Sequence, residues 1–276
     1  MASRRTARTG RRAPAVLTAA LALTAAAAAG LTAQPAAAGA GSTAADCTAA
    51  GGFCEDFESQ TGTTPSGRWN TDVRDCSGTG AATVDSTEAH SGTTSIRVDG
   101  KTGYCNHAFV GTDITDVPVS ASLYVRFWIK HSTALPAGHV AFAAMHDPND
   151  NDRDLRMGGQ NGALQWNRES DDATLPAQSP VGVSKSIPLP TGTWSCVEYQ
   201  IDESAGQLAT WVDGTEVEGL VADGTPTPDV DQQWLARGGW SPAPTDLRLG
   251  WESYADGDDT LWFDDVAVGT APLGCD

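Results

Sequence analysis

Strict two-residue alternation constrains this chain more than any other feature. From Leu123 to Lys130, Leu123, Val125, Phe127 and Ile129 fall on one face, and Tyr124, Arg126, Trp128 and Lys130 on the other. Successive side chains of an extended strand point to opposite sides, so the first set belongs in a core and the second outside it. The same period orders Leu247–Tyr254, where Leu247, Leu249 and Trp251 alternate with Arg248, Gly250, Glu252 and Tyr254. Residues Leu164 to Ser170 set Leu164, Trp166 and Arg168 against Gln165, Asn167 and Glu169. Turn signals occur at Gly158-Gly159, Asp213-Gly214 and Asp256-Gly257. Beyond Asp46 no stretch keeps a helical period for three turns. The expected fold is all-β, a sandwich of two antiparallel sheets rather than parallel βαβ units.

The chain ends differ in kind. Arg4, Arg5, Arg8, Arg11 and Arg12 precede the first acidic residue, Asp46, and an Ala- and Leu-rich run spans 13–31. With the small-residue site Ala36-Ala37-Ala38, this reads as a secretory signal peptide over 1–38. A short lead-in (39–52) and a single domain (53–276) follow. Removing 38 residues and those five arginines leaves 238 residues and takes the formal charge from −18 to −23. Phosphate binding needs clustered cations, so nucleic acid is excluded as a partner. No second long apolar run follows, so no membrane span is expected. The protein is expected to be secreted, extracellular and monomeric.

The outer strand faces mix aromatic rings with Arg, Asn, Gln and Glu. If one sheet curves, such a face forms a long concave cleft suited to a polysaccharide. Sugar C–H faces stack on Trp and Tyr while hydroxyls meet the polar groups. The plain alternative is a solvated sheet face. Six cysteines in an exported chain suggest three disulfides, with the connectivity open. Metal ligation is the weaker reading, because there is no C-x-x-C pair.

Several segments together resemble one family. They are Glu55-Asp-Phe-Glu-Ser59, Ala89-His-Ser-Gly92, Gly103-Tyr-Cys105, Leu155-Arg-Met-Gly-Gly-Gln160, Asn167-Arg-Glu-Ser-Asp-Asp-Ala-Thr-Leu-Pro176, Leu189-Pro-Thr-Gly192, Gly250-Trp-Glu-Ser-Tyr254 and Trp262-Phe-Asp-Asp265. Through them the chain resembles the cellulose-induced secreted proteins of the Cip-one type, from about Phe53 to Cys275. The resemblance implies a β-jelly-roll sandwich, similar in fold to glucuronan and alginate lyases, with a structural calcium and polyuronate lyase chemistry. It also implies the pairs Cys76–Cys105 and Cys196–Cys275, which leave Cys47 with Cys54. One departure stands out: Asp154 occupies a position where a fungal relative is expected to carry His.

The implied calcium set is Glu58 and Asp264 with the backbone carbonyls of Ser91 and Thr94, a hard-oxygen set that suits Ca²⁺. Asp56 and Asp265 are neighbouring alternatives, and the Asp256–Asp259 turn is a weaker one. A uronate lyase must neutralise the C6 carboxylate, remove the C5 proton and protonate the O4 leaving group. The resemblance places His139, Arg156, Gln160, Asp172 and Tyr254 in the cleft. Arg156 or Gln160 would hold the carboxylate, His139 would act as base, and Tyr254 would move the other proton. The strand faces add Tyr124, Arg126, Trp128, Asn167, Arg168 and Glu252 as substrate-binding candidates beside Asp172. Two other readings compete. A glycoside hydrolase would draw its carboxyl pair from Glu169, Asp171, Asp172 and Glu252. A non-catalytic cellulose- or hemicellulose-binding accessory protein would use the cleft without cleaving.

Overall fold

In a computed structural model, residues 50–72, 78–237, 240–254 and 257–275 are described. The expected signal peptide, most of the lead-in, Cys47 and Cys76 lie outside them. The strands are β1 (Phe53–Glu55), β2 (Asn70–Asp72), β3 (Ala81–Asp85), β4 (Ser95–Gly100), β5 (Ala108–Asp113), β6 (Ser122–His131), β7 (Val140–Asp147), β8 (Arg153–Gln160), β9 (Ala163–Arg168), β10 (Thr174–Leu175), β11 (Ser195–Asp202), β12 (Gln207–Val212), β13 (Thr215–Glu216), β14 (Asp246–Ser253) and β15 (Asp259–Gly269). Two one-turn helices, α1 (Pro180–Val183) and α2 (Gln232–Ala236), sit in connections.

The strands form two antiparallel sheets of a jelly-roll sandwich. One runs β13-β12-β11-β6-β15-β4-β3, with β1 also paired to β15; the other runs β10-β9-β8-β7-β14-β5-β2. Between them lies the core that the alternation anticipated. Leu123, Val125, Phe127 and Ile129 of β6 are buried, as are Leu164 and Trp166 of β9 and Leu247, Leu249 and Trp251 of β14. Phe127 is central, with edge-on contacts to Phe142, Tyr199 and Phe263 at centroid distances of 6.4, 6.5 and 5.9 Å. Truncating such a ring to alanine costs about 3–5 kcal/mol, because a cavity adds to the lost transfer energy.

Strand pairing, which alternation does not encode, corrects part of the groove. Strand β6 belongs to the first sheet, whereas β8, β9 and β14 belong to the second. The outer faces of two stacked sheets look away from each other, so Tyr124, Arg126 and Trp128 share no groove with Arg156. Trp128 stacks on His90 at 3.7 Å between centroids, and Arg126 is buried near Glu198, Asp264 and Asp265. Arg168 was expected at the substrate, but it shares a face with Leu164 and Trp166. It turns inward, 2% exposed, with its guanidinium 4.7 Å from the Trp234 ring and bonded to Asp171 at 2.9 Å.

The Cys196–Cys275 disulfide is present and ties β11 to the C-terminal segment, closing a separation of 79 residues. Cys54 and Cys105 are also disulfide-bonded. No helix among the described residues is long and apolar enough to cross a membrane.

Candidate functional site

The outer face of the second sheet carries the polar residues that alternate with its core residues. In β8, Asp154, Arg156, Gly158 and Gln160 alternate with buried Leu155 and Met157; in β14, Arg248, Gly250 and Glu252 alternate with Leu249 and Trp251. A Cβ on Gly158 would come within 1.9 Å of the Val140 carbonyl oxygen, so only glycine allows so close an approach of β7 here. Register shifts at Ala141/Ala143 of β7 and Leu249/Glu252 of β14 accompany it.

Arg156 is the centre of this face. It is 8% exposed, and its Nη1 donates to Glu252 Oε1 at 2.8 Å. Its Nε and Nη2 donate to Asn167 Oδ1 at 3.2 and 2.7 Å. A guanidinium has five N–H donors, so each terminal nitrogen keeps one for a ligand. Arg156, Glu252 and Tyr254 wall one narrow cavity of about 50 Å³ with His107, Phe109, Asp154, Glu169 and Arg248. Tyr254 is half-exposed and meets His107 edge-on at 5.0 Å.

His139 lies just before β7, within electrostatic reach of Arg156 and Asp172. Burial, then the Arg156 charge, pull its pKa down to about 4, against an opposing pull from Asp172. The imidazole is therefore neutral across the physiological range and can accept a proton. An anion bound at Arg156 would cancel part of that depression and strengthen the base. Two other candidates stand apart. Gln160 donates to Gln178 Oε1 at 3.2 Å, and Asp172 is exposed on the turn after β9, its backbone left-handed at φ 56°. The ion-pair partner of Arg156 is Glu252.

Arg248 was not singled out, although it alternates visibly with Leu247 and Leu249. It is 3% exposed and donates to Asp154 at 2.6 Å and Asp246 at 3.0 Å. Burial opposes its charge, but Asp154 and Asp246 outweigh that and raise its pKa further. Beyond it opens a wider basin of about 370 Å³ reaching Asn70, Asp72 and Asp113. Asp154, at the position where a His was expected, is thus a partner of Arg248. His107 carried no sequence pattern, since its partner Tyr254 comes from the segment just after β14, far away in sequence.

A second set of carboxylates gathers on the first sheet, at the turn before β4. Glu58 accepts Thr93 N (2.8 Å), Thr94 N (2.7 Å) and Thr93 Oγ1 (3.0 Å). Asp264 accepts His90 N (2.8 Å) and Ser91 N (3.1 Å), while Asp265 meets the Ser91 hydroxyl at 2.8 Å and His90 Nδ1 at 2.6 Å. The β15 register shifts between Asp264 and Ala267, with Asp265 left-handed at φ 45°; such a bulge re-aims both carboxylates. Burial, then the Asp265 charge, push the Asp264 pKa up to about 7. No hydrogen bond between described residues uses the Ser91 or Thr94 carbonyl. Among the described residues no cluster of three or more His, Cys, Asp or Glu is arranged for a metal, so an ion here must draw on backbone oxygens. The donor chemistry, adjacent buried carboxylates beside two carbonyls that accept no hydrogen bond from a described residue, fits a hard cation, although Arg126 and His90 already lie near this pair. In the weaker metal candidate, Asp259 is instead taken up by Ser132 and Thr133 and by His131 at 3.2 Å.

Comparison with known families matches residues 56–271 to the Cip1-like core domain of polysaccharide-lyase-like proteins. Among solved structures, "Cellulose induced protein, Cip1" is 38% identical, covers 81% of this chain and all of its own, and superposes with a TM-score of 0.74. An endo-β-1,4-glucuronan lyase from the fungus Trichoderma reesei is 15% identical, covering 79% of this chain and 95% of its own, with a TM-score of 0.45. No curated protein matches the chain.

Proposed function

Because the chain belongs to the Cip1-like family of polysaccharide-lyase-like proteins, we propose that it is a secreted lyase that cleaves uronate-containing polysaccharides, of the glucuronan type, by β-elimination. The observation that carries this reading is the Arg156–Asn167–Glu252 cluster, with a neutral histidine beside it and Tyr254 on the same cavity wall. The two remaining N–H groups of Arg156 hold the C6 carboxylate, which makes the C5 proton more acidic. His139 takes that proton. The C4–O4 bond then breaks, its electron pair leaves on O4, and the Tyr254 hydroxyl supplies the proton that O4 needs. The C5–H electrons become the C4–C5 double bond. Gln160, bonded to Gln178, would orient the chain farther along the face.

A calcium ion belongs to this reading as a structural element. Glu58 and Asp264 with the Ser91 and Thr94 carbonyls would hold it, joining both chain ends to one turn. The ion would neutralise the buried Asp264–Asp265 pair.

One observation favours a non-catalytic glycan-binding role. Both cleft arginines are already bonded to carboxylates, which suits neutral hydroxyls as well as it suits anions. Ultraviolet absorbance of the unsaturated product on a panel of uronate and neutral polymers separates the two. A rise on a uronate polymer supports elimination; binding without any rise supports the accessory role.

A further inference from the structure

Aromatic side chains on the outer face of the first sheet fall into two groups. Trp128 stacks on His90, and Trp194 meets the same imidazole edge-on at 5.8 Å. Trp262 donates to Asp85 Oδ2 at 2.8 Å, and Arg97 and Lys130 each lie 5.7 Å from its ring centroid. Tyr124 of β6 and Trp211 of β12 differ. Both are half-buried, and among the described residues neither ring meets another ring or a cation. No described residue hydrogen-bonds the Tyr124 hydroxyl or the Trp211 indole N–H.

These two rings line one cavity of about 350 Å³ with Glu198, Gln200, Pro272 and Gly274. Register brings them there: Trp211 pairs with Glu198, and Gln200, two residues along β11, pairs with Tyr124. The rings thus stand two strand spacings and two residues apart, roughly 12 Å between backbones. That separation suits sugars of one chain. The remaining wall is fixed in place. Glu198 is buried, and its two oxygens accept Leu273 N at 2.8 Å and Gly274 N at 3.1 Å. The next residue, Cys275, is bonded to Cys196. The C-terminal segment is therefore held twice against the sheet, with Pro272 and Gly274 as the rim.

The polar groups set the chemical class. None of the lining residues is Lys or Arg, so an acidic sugar would find no cation in the cavity. Its one carboxylate, Glu198, is engaged by the C-terminal backbone. What remains is two ring faces, an indole donor, a phenol, and Gln200 Oε1, which accepts from no described residue while the amide nitrogen donates to Ser122 Oγ at 2.9 Å. Burial, then the Glu198 and Asp202 charges, raise the Tyr124 pKa, which keeps the hydroxyl protonated. Rings flanked by neutral donors and acceptors match the C–H faces and hydroxyls of pyranoses.

We propose that this cavity is a second glycan site, which binds the neutral backbone of a polysaccharide on the opposite side of the sandwich from Arg156. The site stands independently of the lyase reading. Two sites facing opposite ways would hold a neutral wall polymer on one side while the cleft engages another chain.

Titration calorimetry with xylohexaose and cellohexaose tests it. Wild type should bind at least one of them. Trp211→Ala and Tyr124→Ala should each weaken that binding by about 10-fold, and Trp211→Phe, which keeps a ring, should lose less. Binding of a glucuronate oligosaccharide should not move in any of the three. In wild type, the Trp211 indole N–H resonance, identified by its disappearance in Trp211→Phe, should shift as the hexaose is added, whether or not the alanine variants fold. No binding of either hexaose, unchanged affinity in folded alanine variants, or a stationary indole resonance would overturn the proposal and leave the cleft untouched. Concentration-dependent self-association that Trp211→Phe weakens, without hexaose binding, would assign the cavity to a second copy of this chain and overturn it equally.

Discussion

Replacing Glu252 by Gln isolates the role of Arg156. The two side chains meet at 2.8 Å and each is 9% exposed, so their pairing is little screened by water. A uronate carboxylate on the same guanidinium would lie about 6 Å from Glu252, where two like charges repel by roughly 3 kcal/mol at an effective dielectric of about 20. Glu252→Gln keeps an acceptor oxygen for Nη1 but removes that repulsion. Affinity for a glucuronate oligosaccharide should rise by ~10- to 100-fold, while affinity for a neutral cello-oligosaccharide stays put. Losing the charged hydrogen bond should cost about 1–3 kcal/mol of stability, readable in urea. Titration calorimetry at low salt supplies both affinities. Equal shifts for the two oligosaccharides, or weaker uronate binding in a folded variant, would refute Arg156 as the carboxylate site.

Other outcomes follow from the same contacts. The His139 pKa is depressed to about 4, so its contribution to stability is present above an ordinary histidine value near 6.5 and lost as pH falls towards 4, up to about 3 kcal/mol. His139→Gln should flatten the denaturation profile over that window; an unchanged slope would place its cause elsewhere. Chelation should lower the melting temperature, and Glu58→Gln or Asp264→Asn should abolish the difference between calcium and chelator. Identical melting curves with and without calcium in the wild type would remove the ion from the account. Opening Cys196–Cys275 by a double Ser substitution releases a 79-residue separation and should cost about 4 kcal/mol in equilibrium unfolding. A loss below about 1 kcal/mol would show that the C-terminal segment is held by Glu198, which accepts Leu273 N at 2.8 Å.

Much of the architecture was legible because β alternation is local. Leu123–Lys130, Leu164–Ser170 and Leu247–Tyr254 each present the buried face that their period implied. Sheet membership was not legible, since it depends on which strands hydrogen-bond at long range. Tyr124, Arg126 and Trp128 therefore looked like groove residues on pattern alone, yet they stand on the other side of the sandwich. Arg168 shows a different failure: its own alternation put it with Leu164 and Trp166, but its charge argued for the surface. The inward position is stabilised by Asp171 and the Trp234 ring, groups that periodicity does not reveal. Within the cleft, Arg156, Asn167, Glu252 and Tyr254 come together from β8, β9, β14 and the segment after it. Arg248 was visible as an alternating position, but its meaning came only from Asp154, 94 residues away in sequence.

The most direct test of the central claim is the mass of the products released from a uronate polymer by the wild-type protein. Elimination adds no water, so the account predicts oligosaccharides with an unsaturated uronate at the new non-reducing end. Tyr254→Phe should retain binding and lose turnover by ~100-fold or more. Products that carry an added water would contradict the account in favour of hydrolysis. So would undiminished turnover in Tyr254→Phe, which would leave that hydroxyl without the role assigned to it.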